Sequence, residues 1–262
     1  MEKIAICAIF KDEAPYLLEW IAFHRMIGVD LFVLYDNGST DGGANLIRQS
    51  SFVRNVTIID WPDRPGQLSA YRHFHANYAS AFTWVAFIDI DEFIVPVDAG
   101  SIRGILLSAV YEPYADVLLN WQIFGPSEHA ARPSGLIIEN FTRRFPDHAE
   151  ANRHVKSLVR PKDLLRVGST PHIFDCARPT CNARGETAIS HAMQPTVCCD
   201  VMVINHYFTK SAEEWLFKRQ RGRGDSLDPY GDRVFADVEA QATVEDMRVL
   251  RFLPRLRALL AT

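Results

Sequence analysis

The sequence predicts an α/β fold with a mostly parallel sheet flanked by helices. Short apolar runs alternate with helical patterns through residues 1–100, which is typical of parallel strands joined by right-handed crossovers. The chain of 262 residues is long enough to bury a large core, and its composition, 48% hydrophobic and 23% charged, is that of a globular protein. We therefore expect a single domain over residues 1–262, in which residues 101–262 form a loop-rich, mixed half.

The first half contains four predicted strands and three predicted helices. Acids and Pro15 supply the first turn of the first helix, which Gly28 ends. The turn at residues 35–42 leads into a short helix that reaches about Ser50. The strands are expected at residues 4–10, 31–35, 56–60 and 84–95, and the third helix at residues 66–81.

Prolines interrupt the second half, so its elements are predicted to be short. A helix is expected at residues 101–111 and strands at residues 115–124, 135–139, 157–160 and 201–205. Ser211 and Glu214 form a capping-box pattern that begins a helix. An amphipathic helix over about residues 244–260 ends the chain, and its basic face and apolar stripe suggest possible contact with a membrane surface, against packing on its own domain.

Cysteine content and charge restrict the functional classes. Five cysteines without a CxxC pair, one of them Cys7 in a core strand, indicate reduced thiols and a cytoplasmic location. A zinc site built from Cys176, Cys181 and the pair 198–199 would match no standard spacing. The chain enters a strand at once and has no membrane-spanning apolar stretch, so neither a leader nor an anchor is expected. A net charge of −4 gives no general attraction to nucleic acid.

The run WVAFIDIDEFIV at residues 84–95 is the central feature of the chain. Its apolar start indicates a buried strand, and its acids arrive where that strand leaves the core. If the strand stays extended, Asp89 and Asp91 point to the same side and suit a single divalent cation. Such a site would lie at the ligand-binding edge of an open α/β sheet. The alternative is a strand end with solvated acids.

Three further patterns point to the same edge. Asp36, in the turn after the second strand, is placed to hydrogen-bond a base or ribose, unless the turn is merely well capped. His206 ends a short strand and is a candidate to complete a metal site opened by Asp91, although a single histidine is more often structural. A late cluster of cations forms a candidate diphosphate cradle or a solvated helix face. Its members are Lys210, Lys218, Arg219, Arg221 and Arg223.

Taken together, these motifs resemble the glycosyltransferase family 2-like and family 92-like enzymes. The resemblance runs from the first strand to about Asp225 and implies a GT-A (Rossmann-like) fold, a nucleotide-sugar donor, a Mn²⁺ or Mg²⁺ ion at the Asp-x-Asp motif, and inversion at the anomeric carbon. The matching motifs are Lys11-Asp12-Glu13, YLLEWIAFH (16–24), YDNGSTD (35–41), Gln67 with Ala70-Tyr71, FIDIDEF (87–93), Trp121 with Phe124-Gly125, Val155-Lys156-Ser157, and Asn205-His206-Tyr207 with Lys210-Ser211.

The resemblance also implies roles for individual residues. Asp36 matches the nucleoside-contacting acid, Asp89 the acid near the donor ribose or sugar, and Asp91 the metal ligand. His206 matches the late histidine of the metal shell, which we expect to hold Asp89, Asp91 and His206 together. The donor-binding set is expected to be completed by Asp12, which stands where Asn is usual, and by Lys210, Lys218 and Arg221.

Sugar transfer also needs a general base near the acceptor hydroxyl. Glu128 and His129 are the candidates, in a loop where relatives are often Ser-Gly-rich, with Asp147 and His172 behind them. Asp91 is expected to be catalytic through its ion, which would stabilise the leaving diphosphate.

The sequence therefore predicts a metal-dependent inverting glycosyltransferase with a donor that is expected to be UDP-linked. The acceptor would be a glycan or lipid-linked molecule of cell-surface polysaccharide synthesis. The enzyme is expected in the cytoplasm or at the inner face of the membrane. Two alternatives stay open: a non-catalytic nucleotide-sugar or glycan-binding module, and a haloacid-dehalogenase-like phosphatase. In such phosphatases Asp-x-Asp normally ends the first strand, whereas here it ends the fourth predicted strand.

Overall fold

Strands and helices alternate along the first half of the chain, as the sequence predicts. The structure, a computed structural model, describes residues 2–261. Within that range the strands are β1 (Ile4–Phe10), β2 (Leu31–Asp36), β3 (Val56–Asp60), β4 (Trp84–Phe87), β5 (Glu92–Pro96), β6 (Asp116–Phe124), β7 (Arg143–Arg144), β8 (Val155–Val159), β9 (Leu164–Val167), β10 (Phe174–Cys176), β11 (Thr180–Asn182), β12 (Thr187–Ala188), β13 (Met202–Tyr207) and β14 (Val244–Glu245). The α-helices of the same range are α1 (Ala14–Met26), α2 (Gly43–Gln49), α3 (Gln67–Tyr78), α4 (Ile102–Leu106), α5 (Ile137–Asn140), α6 (Ala212–Arg221), α7 (Val234–Gln241) and α8 (Leu253–Leu260).

The first four strands form a parallel sheet in the order β3, β2, β1, β4. All seven residues of β1 are apolar and buried, because helices cover both faces of the sheet. Ile4, Ile6 and Ala8 pack in the cluster that contains α1, while Ala5 and Cys7 pack in the cluster that contains α3. The winding of the sheet reverses between β1 and β4, and ligands of open α/β sheets bind at the carboxyl ends of the strands at such a point. The predicted α/β class is therefore confirmed.

Beyond β4 the sheet becomes mixed, as expected for the second half. β8 lies antiparallel between β4 and β6, and β13 lies parallel to β6 and antiparallel to β5. The first part of β6 pairs with β8 and its last part with β13. This long strand therefore brings residues after position 150 to the edge where β1 and β4 end.

The predicted strand at residues 84–95 is wrong as a single element. β4 ends at Phe87, a turn follows in which the Glu92 N–H donates to the Asp89 carbonyl at 3.1 Å, and β5 leaves to pair with β13. Asp89 and Asp91 therefore lie in a turn and do not share one face of an extended strand. At the acids the chain leaves β4, which pairs with β1 and β8, and enters β5, which pairs with β13.

Two other elements differ from prediction for identifiable reasons. Residues 135–139, expected as a strand, instead contribute to α5, because the buried Glu19 carboxylate accepts the N–H groups of Ile137 and Ile138 at 2.8 and 3.2 Å. The helix expected at residues 101–111 is interrupted and α4 covers only its first part.

The expected helix at residues 244–260 begins only at Leu253, because Pro254 fits the first turn of a helix and not its interior. Its apolar stripe packs on α1: Leu256 is buried, and the Phe252 ring lies 5.5 Å from Phe23. The stripe is thus covered by its own domain. No helix within residues 2–261 is both long and apolar enough to cross a membrane.

Candidate functional site

A cavity of about 740 Å³ opens at the carboxyl ends of β1, β2 and β4. Phe10 and Asn37 line it where β1 and β2 end, and Asp89 and Asp91 line it after β4. A segment at residues 222–231, called here the cover segment, lines the opposite side together with the end of α6. The cavity therefore occupies the point where the winding of the sheet reverses.

Asp89 is held by two neighbours that occupy both of its carboxylate oxygens. Gln67 donates its side-chain amide to Oδ1 at 2.6 Å, and the Lys156 ammonium lies 2.8 Å from Oδ2. Lys156 is only 1% exposed and lies also 3.5 Å from Glu92, which is fully buried. Burial would lower the pKa of Lys156, but Asp89 and Glu92 together raise it, so the ammonium stays charged. Asp89 is thus a fixed acid at the floor of the cavity.

Glu92 completes this buried cluster. Burial raises its pKa to about 8 against the opposing effect of Lys156, and the neighbouring charges of Asp89 and Asp91 raise it further. Its Oε2 accepts the Asp89 N–H at 2.9 Å, which fixes the turn. Its Oε1 and the Nδ1 of His206 lie 3.9 Å apart, and neither has a hydrogen-bond partner within residues 2–261.

Asp91 faces two cationic or basic groups of the second half. The Lys218 ammonium lies 2.6 Å from Oδ2, and the His206 Nε2 lies 3.7 Å from Oδ1. Burial would raise the pKa of Asp91, but Lys218 and His206 outweigh it and hold that pKa well below its usual range. Burial lowers the pKa of His206 despite the opposing effect of Asp91, so the imidazole is neutral and offers a lone pair.

These donors fit a divalent cation only in part. Asp91 and His206 offer an oxygen and a nitrogen on one side of the cavity, and the unpartnered Nδ1 of His206 and Oε1 of Glu92 leave the imidazole free to reorient. Asp89, however, directs both oxygens to Gln67 and Lys156. Two protein ligands would suffice for an ion whose other ligands are phosphate oxygens and water. The metal roles of Asp89, Asp91 and His206 stay predictions, and Asp89 could serve only through the lone pairs that Gln67 and Lys156 leave unused.

The cover segment is tied to the sheet edge at two places. The Gly224 carbonyl accepts the N–H groups of Gly66 and Gln67, both at 3.1 Å, at the N-terminus of α3. Just before the segment, Arg221 donates to the buried Glu13 carboxylate at 2.6 Å and to the Lys11 carbonyl at 2.7 Å. Arg221 of α6 is therefore positioned over the cavity by Glu13, the residue just before α1.

At the β2 end, Asn37 lines the cavity and Asp36 does not. The Asn37 amide donates both of its hydrogens, to the Trp61 carbonyl at 2.6 Å and the Asp63 carbonyl at 2.8 Å, so its Oδ1 can only accept. Asp36 accepts the Ser39 N–H at 2.8 Å. Asp12 accepts the Thr40 N–H at 2.7 Å. These two acids brace the turn after β2 and do not line the cavity, and their expected contact with the donor stays a prediction.

On the side away from Asn37, three aromatic groups line the cavity together. Trp121 stacks with His154 at 4.9 Å and lies 5.3 Å from His172, measured between ring centroids. Each imidazole directs Nδ1 to a backbone carbonyl: His154 to Ala151 at 3.1 Å and His172 to Val155 at 2.7 Å. Because a carbonyl only accepts, Nδ1 carries the proton and Nε2 is the free acceptor on both rings. Burial lowers the pKa of His172 to about 3, so it is neutral.

Besides Asp12 and Asp36, three predicted site residues lie outside the cavity lining. The Glu128 side chain is 79% exposed and pairs with Arg143 at 2.8 Å. His129 faces the Asn140 carbonyl at 3.1 Å. Lys210 lies 3.5 Å from Glu13 and 3.9 Å from the centre of the Tyr16 ring. The structure does not bring Glu128 and His129 to the cavity, because their loop folds back onto α5 and β7.

Other site residues were missed in the sequence. Lys156 stands in β8, whose other residues are apolar except for Ser157. A lysine in a buried strand requires acids beside it, so the sequence does contain a signal that Lys156 belongs to a charged site. Glu13 immediately precedes α1, a position where acids are common, so the sequence does not single it out. Only its two cationic partners in the structure, Lys210 and Arg221, identify it as part of the site. For Asn37 no sequence signal separates it from Asp36.

Comparison with known proteins gives the same family as the motifs. The profile of glycosyltransferase family 92 matches residues 2–222. A glycosyltransferase family 92 protein of Oryza sativa subsp. japonica is 31% identical over 164 residues, which are 62% of this chain and 27% of the relative. Another, of Ricinus communis, is 29% identical over 172 residues, or 62% of this chain and 29% of the relative. The chain spans less than a third of the length of these curated relatives.

Solved structures show weaker likeness. S. aureus TarS 1–349 in complex with UDP has a TM-score of 0.40 at 12% identity, over 61% of this chain and 47% of that chain. Glucosyl-3-phosphoglycerate synthase from Mycobacterium tuberculosis, in complex with Mn²⁺, UDP and glucosyl-3-phosphoglycerate, has a TM-score of 0.37 at 18% identity, over 62% of this chain and 58% of that chain.

The family assignment rests on the profile, which runs from β1 through α6. The sheet order is β3, β2, β1, β4, β8, β6, and β8 lies antiparallel to both of its neighbours. This is the GT-A arrangement that the resemblance implies. The phosphatase alternative is set aside, since its motif belongs after the first strand of a different sheet. Because the profile covers most of the chain, this protein belongs to glycosyltransferase family 92.

Proposed function

We propose that this chain transfers a sugar from a nucleotide-sugar donor, UDP-linked, to a hydroxyl of a glycan or lipid-linked acceptor, with inversion and with the help of Mn²⁺ or Mg²⁺. The observation that supports it most is the single cavity that runs from Asn37 to Asp91 beneath the cations of α6. We further propose a place in cell-surface polysaccharide synthesis on the cytoplasmic side, which the five free thiols favour.

The sheet sets the direction of the donor. Neighbouring strands lie about 4.8 Å apart, so the ends of β2 and β4, two strands apart, are separated by about 10 Å. A ribose and its first phosphate bridge such a gap, which puts the base at Asn37 and the diphosphate at Asp91. The fixed acceptor Oδ1 of Asn37 complements the N3–H of uracil or thymine, whereas the N3 of cytosine is itself an acceptor.

Cations of this chain would neutralise the negative charge that develops on the leaving diphosphate. Lys218 and Arg221 line the cavity and would hold phosphate oxygens as the bond to the sugar breaks. A divalent ion held by Asp91 and His206 would add Lewis-acid stabilisation of the same leaving group. Asp89, held by Lys156 and Gln67, is placed to hydrogen-bond the ribose or sugar hydroxyls.

The acceptor hydroxyl needs a proton acceptor on the other side of the sugar. In this proposal His154 and His172 replace Glu128 and His129, because their free Nε2 atoms belong to rings that line the cavity beside Trp121. His172, whose pKa burial lowers to about 3, is a weak base, so His154 is the stronger candidate.

A thermal-shift panel tests the proposal. UDP, dTDP, CDP and GDP are added with and without Mn²⁺, and the first two are expected to stabilise the chain most. At a hundredfold excess over Kd, binding adds about 2.7 kcal/mol. That energy raises Tm by roughly 5–10 °C for a domain of this size. Equal response to CDP would refute the role of Asn37, and no response to any nucleotide would refute the proposal.

The second candidate is a non-catalytic nucleotide-sugar or glycan-binding module. The weak basicity of His172, one of the two imidazoles that line the acceptor side, is the observation that favours it. Release of nucleoside diphosphate from a UDP-sugar, followed over time, separates the two candidates. Binding without release would support the module.

A further inference from the structure

We propose that Lys218 and a divalent cation compete for the Asp91 carboxylate, so that the ion binds tightly only when the donor diphosphate is present to receive the displaced ammonium. This inference rests on the proposed function. It concerns a residue of α6 and what its position does to metal binding.

The ammonium of Lys218 already occupies a cation site. It lies 2.6 Å from Asp91 Oδ2 and 2.7 Å from the Phe208 carbonyl oxygen, and 4.4 Å from the centre of the Phe208 ring. Two oxygen acceptors and an aromatic face surround it, and its side chain is 10% exposed. Burial would lower the pKa of Lys218, but Asp91 raises it, so the group is charged.

A divalent ion would have to use the same carboxylate. The His206 Nε2 lies 3.7 Å from Asp91 Oδ1, so an ion shared by these two groups would lie within a few ångströms of the Lys218 ammonium. Two cations on one small carboxylate repel strongly in a site shielded from water. The ammonium must therefore leave Asp91 before an ion can bind there, and Asp89 offers only the lone pairs that Gln67 and Lys156 do not use.

The displaced ammonium needs another anion. Lys218 lies in the last turn of α6, and other acids of the cavity already have cationic partners: Glu13 is engaged by Arg221 and faced by Lys210, and Asp225 is engaged by Arg223. A nucleoside diphosphate in the cavity would supply the missing negative charge. The diphosphate thus releases Asp91 for the ion, and the ion and the nucleotide bind with positive coupling, which is reciprocal.

Mn²⁺ titration followed by electron paramagnetic resonance tests this without any activity measurement. Lys218→Gln removes the charge and keeps a hydrogen-bond donor for Asp91, and Lys218→Met is a second neutral variant if the first does not fold. We expect either variant to bind Mn²⁺ alone at least about tenfold more tightly than the wild type, and to lose most of the tightening that UDP causes. Arg233→Gln removes one charge just before α7 and leaves Asp91 paired, because the Arg233 side chain is 88% exposed and lies 3.8 Å from Asp237, so its affinity should match the wild type.

The outcomes are distinguishable. Equal Mn²⁺ affinities of the Lys218 variants and the wild type overturn the inference and leave the proposed function intact. An Arg233→Gln variant that gains as much affinity as Lys218→Gln also overturns it, because bulk charge would then explain the effect. If no variant binds Mn²⁺ even with UDP, both the inference and the metal part of the proposed function fail.

Discussion

Replacing Lys156 by methionine tests the buried cluster that fixes the acid turn. Its ammonium lies 2.8 Å from Asp89 and 3.5 Å from Glu92, and is 1% exposed. Methionine preserves the volume of the stem but leaves two carboxylates without their cation. Removing one partner of a buried ion pair costs about 3–5 kcal/mol.

The expected cost is near the lower end of that range. Asp89 is 34% exposed and keeps the amide of Gln67, so water and one donor compensate part of its loss. Glu92 is fully buried, but burial raises its pKa to about 8, so it can hold a proton when Lys156 is absent. We therefore expect Lys156→Met to lower the free energy of unfolding by about 3 kcal/mol. Tm would fall by roughly 6–12 °C.

Urea denaturation followed by circular dichroism measures this cost. Lys162→Met, at an exposed lysine shortly after β8, is the matched control and should change stability by less than about 0.5 kcal/mol. Glu92→Gln in the Lys156→Met background should recover part of the loss, with a coupling energy above about 1 kcal/mol. A Lys156→Met protein within about 1 kcal/mol of the wild type would show that the cluster does not depend on this ion pair.

Three further predictions concern the ion site, the cover segment and pH. Asp91→Asn should reduce nucleoside-diphosphate release from a UDP-sugar at least about a hundredfold with an unchanged circular dichroism spectrum, and a near wild-type rate would contradict the proposed ion-binding role. We expect the cover segment and the end of α6 to close over the bound donor, so hydrogen exchange at residues 219–227 should slow when donor nucleotide and Mn²⁺ are added, with β1 as the unresponsive reference; unchanged exchange would show that they do not close. Burial raises the pKa of Asp116 from 3.8 to about 7, so the folded state holds that proton more tightly and wild-type stability declines as pH rises from about 4 to 7. Asp116→Asn should abolish about 3 kcal/mol of this decline in urea melts at pH 4.5 and 8, and parallel pH profiles would contradict the assignment.

Local patterns predicted those parts of the fold that depend on local chemistry. The bounds of β1 and β3 follow from continuous apolar or β-branched runs between turn residues. The start of α6 follows from a capping box in which Ser211 Oγ accepts the Glu214 N–H at 3.3 Å and Glu214 returns a bond to the Ser211 N–H at 3.1 Å. Both kinds of signal act within a few residues, so sequence spacing is enough to find them.

The site was predicted less well because its partners are distant in sequence. The expectation that Asp89 and Asp91 share one ion treated them as a local pair. The structure separates them, since Asp89 is drawn to Lys156, 67 residues away, and Asp91 to Lys218, 127 residues away. The choice between Asp36 and Asn37 likewise depends on carbonyls supplied after β3. Interactions of this range are set by strand order, which spacing alone does not give.

The pairing of charges at this edge also limits which ligand can bind there. Arg221 and Lys218, the cations to which the proposed function assigns the diphosphate, are already engaged by Glu13 and Asp91. A neutral sugar has no charge with which to replace Glu13 or Asp91 as the partner of these cations. A bare anion that bound the Lys218 ammonium would leave Asp91 buried without a cation, at a cost of several kcal/mol. A diphosphate that arrives with a divalent ion exchanges both partners at once, because the anion receives Lys218 and the cation receives Asp91. Selection of a metal-bound nucleotide over either component then follows from the ion pair itself.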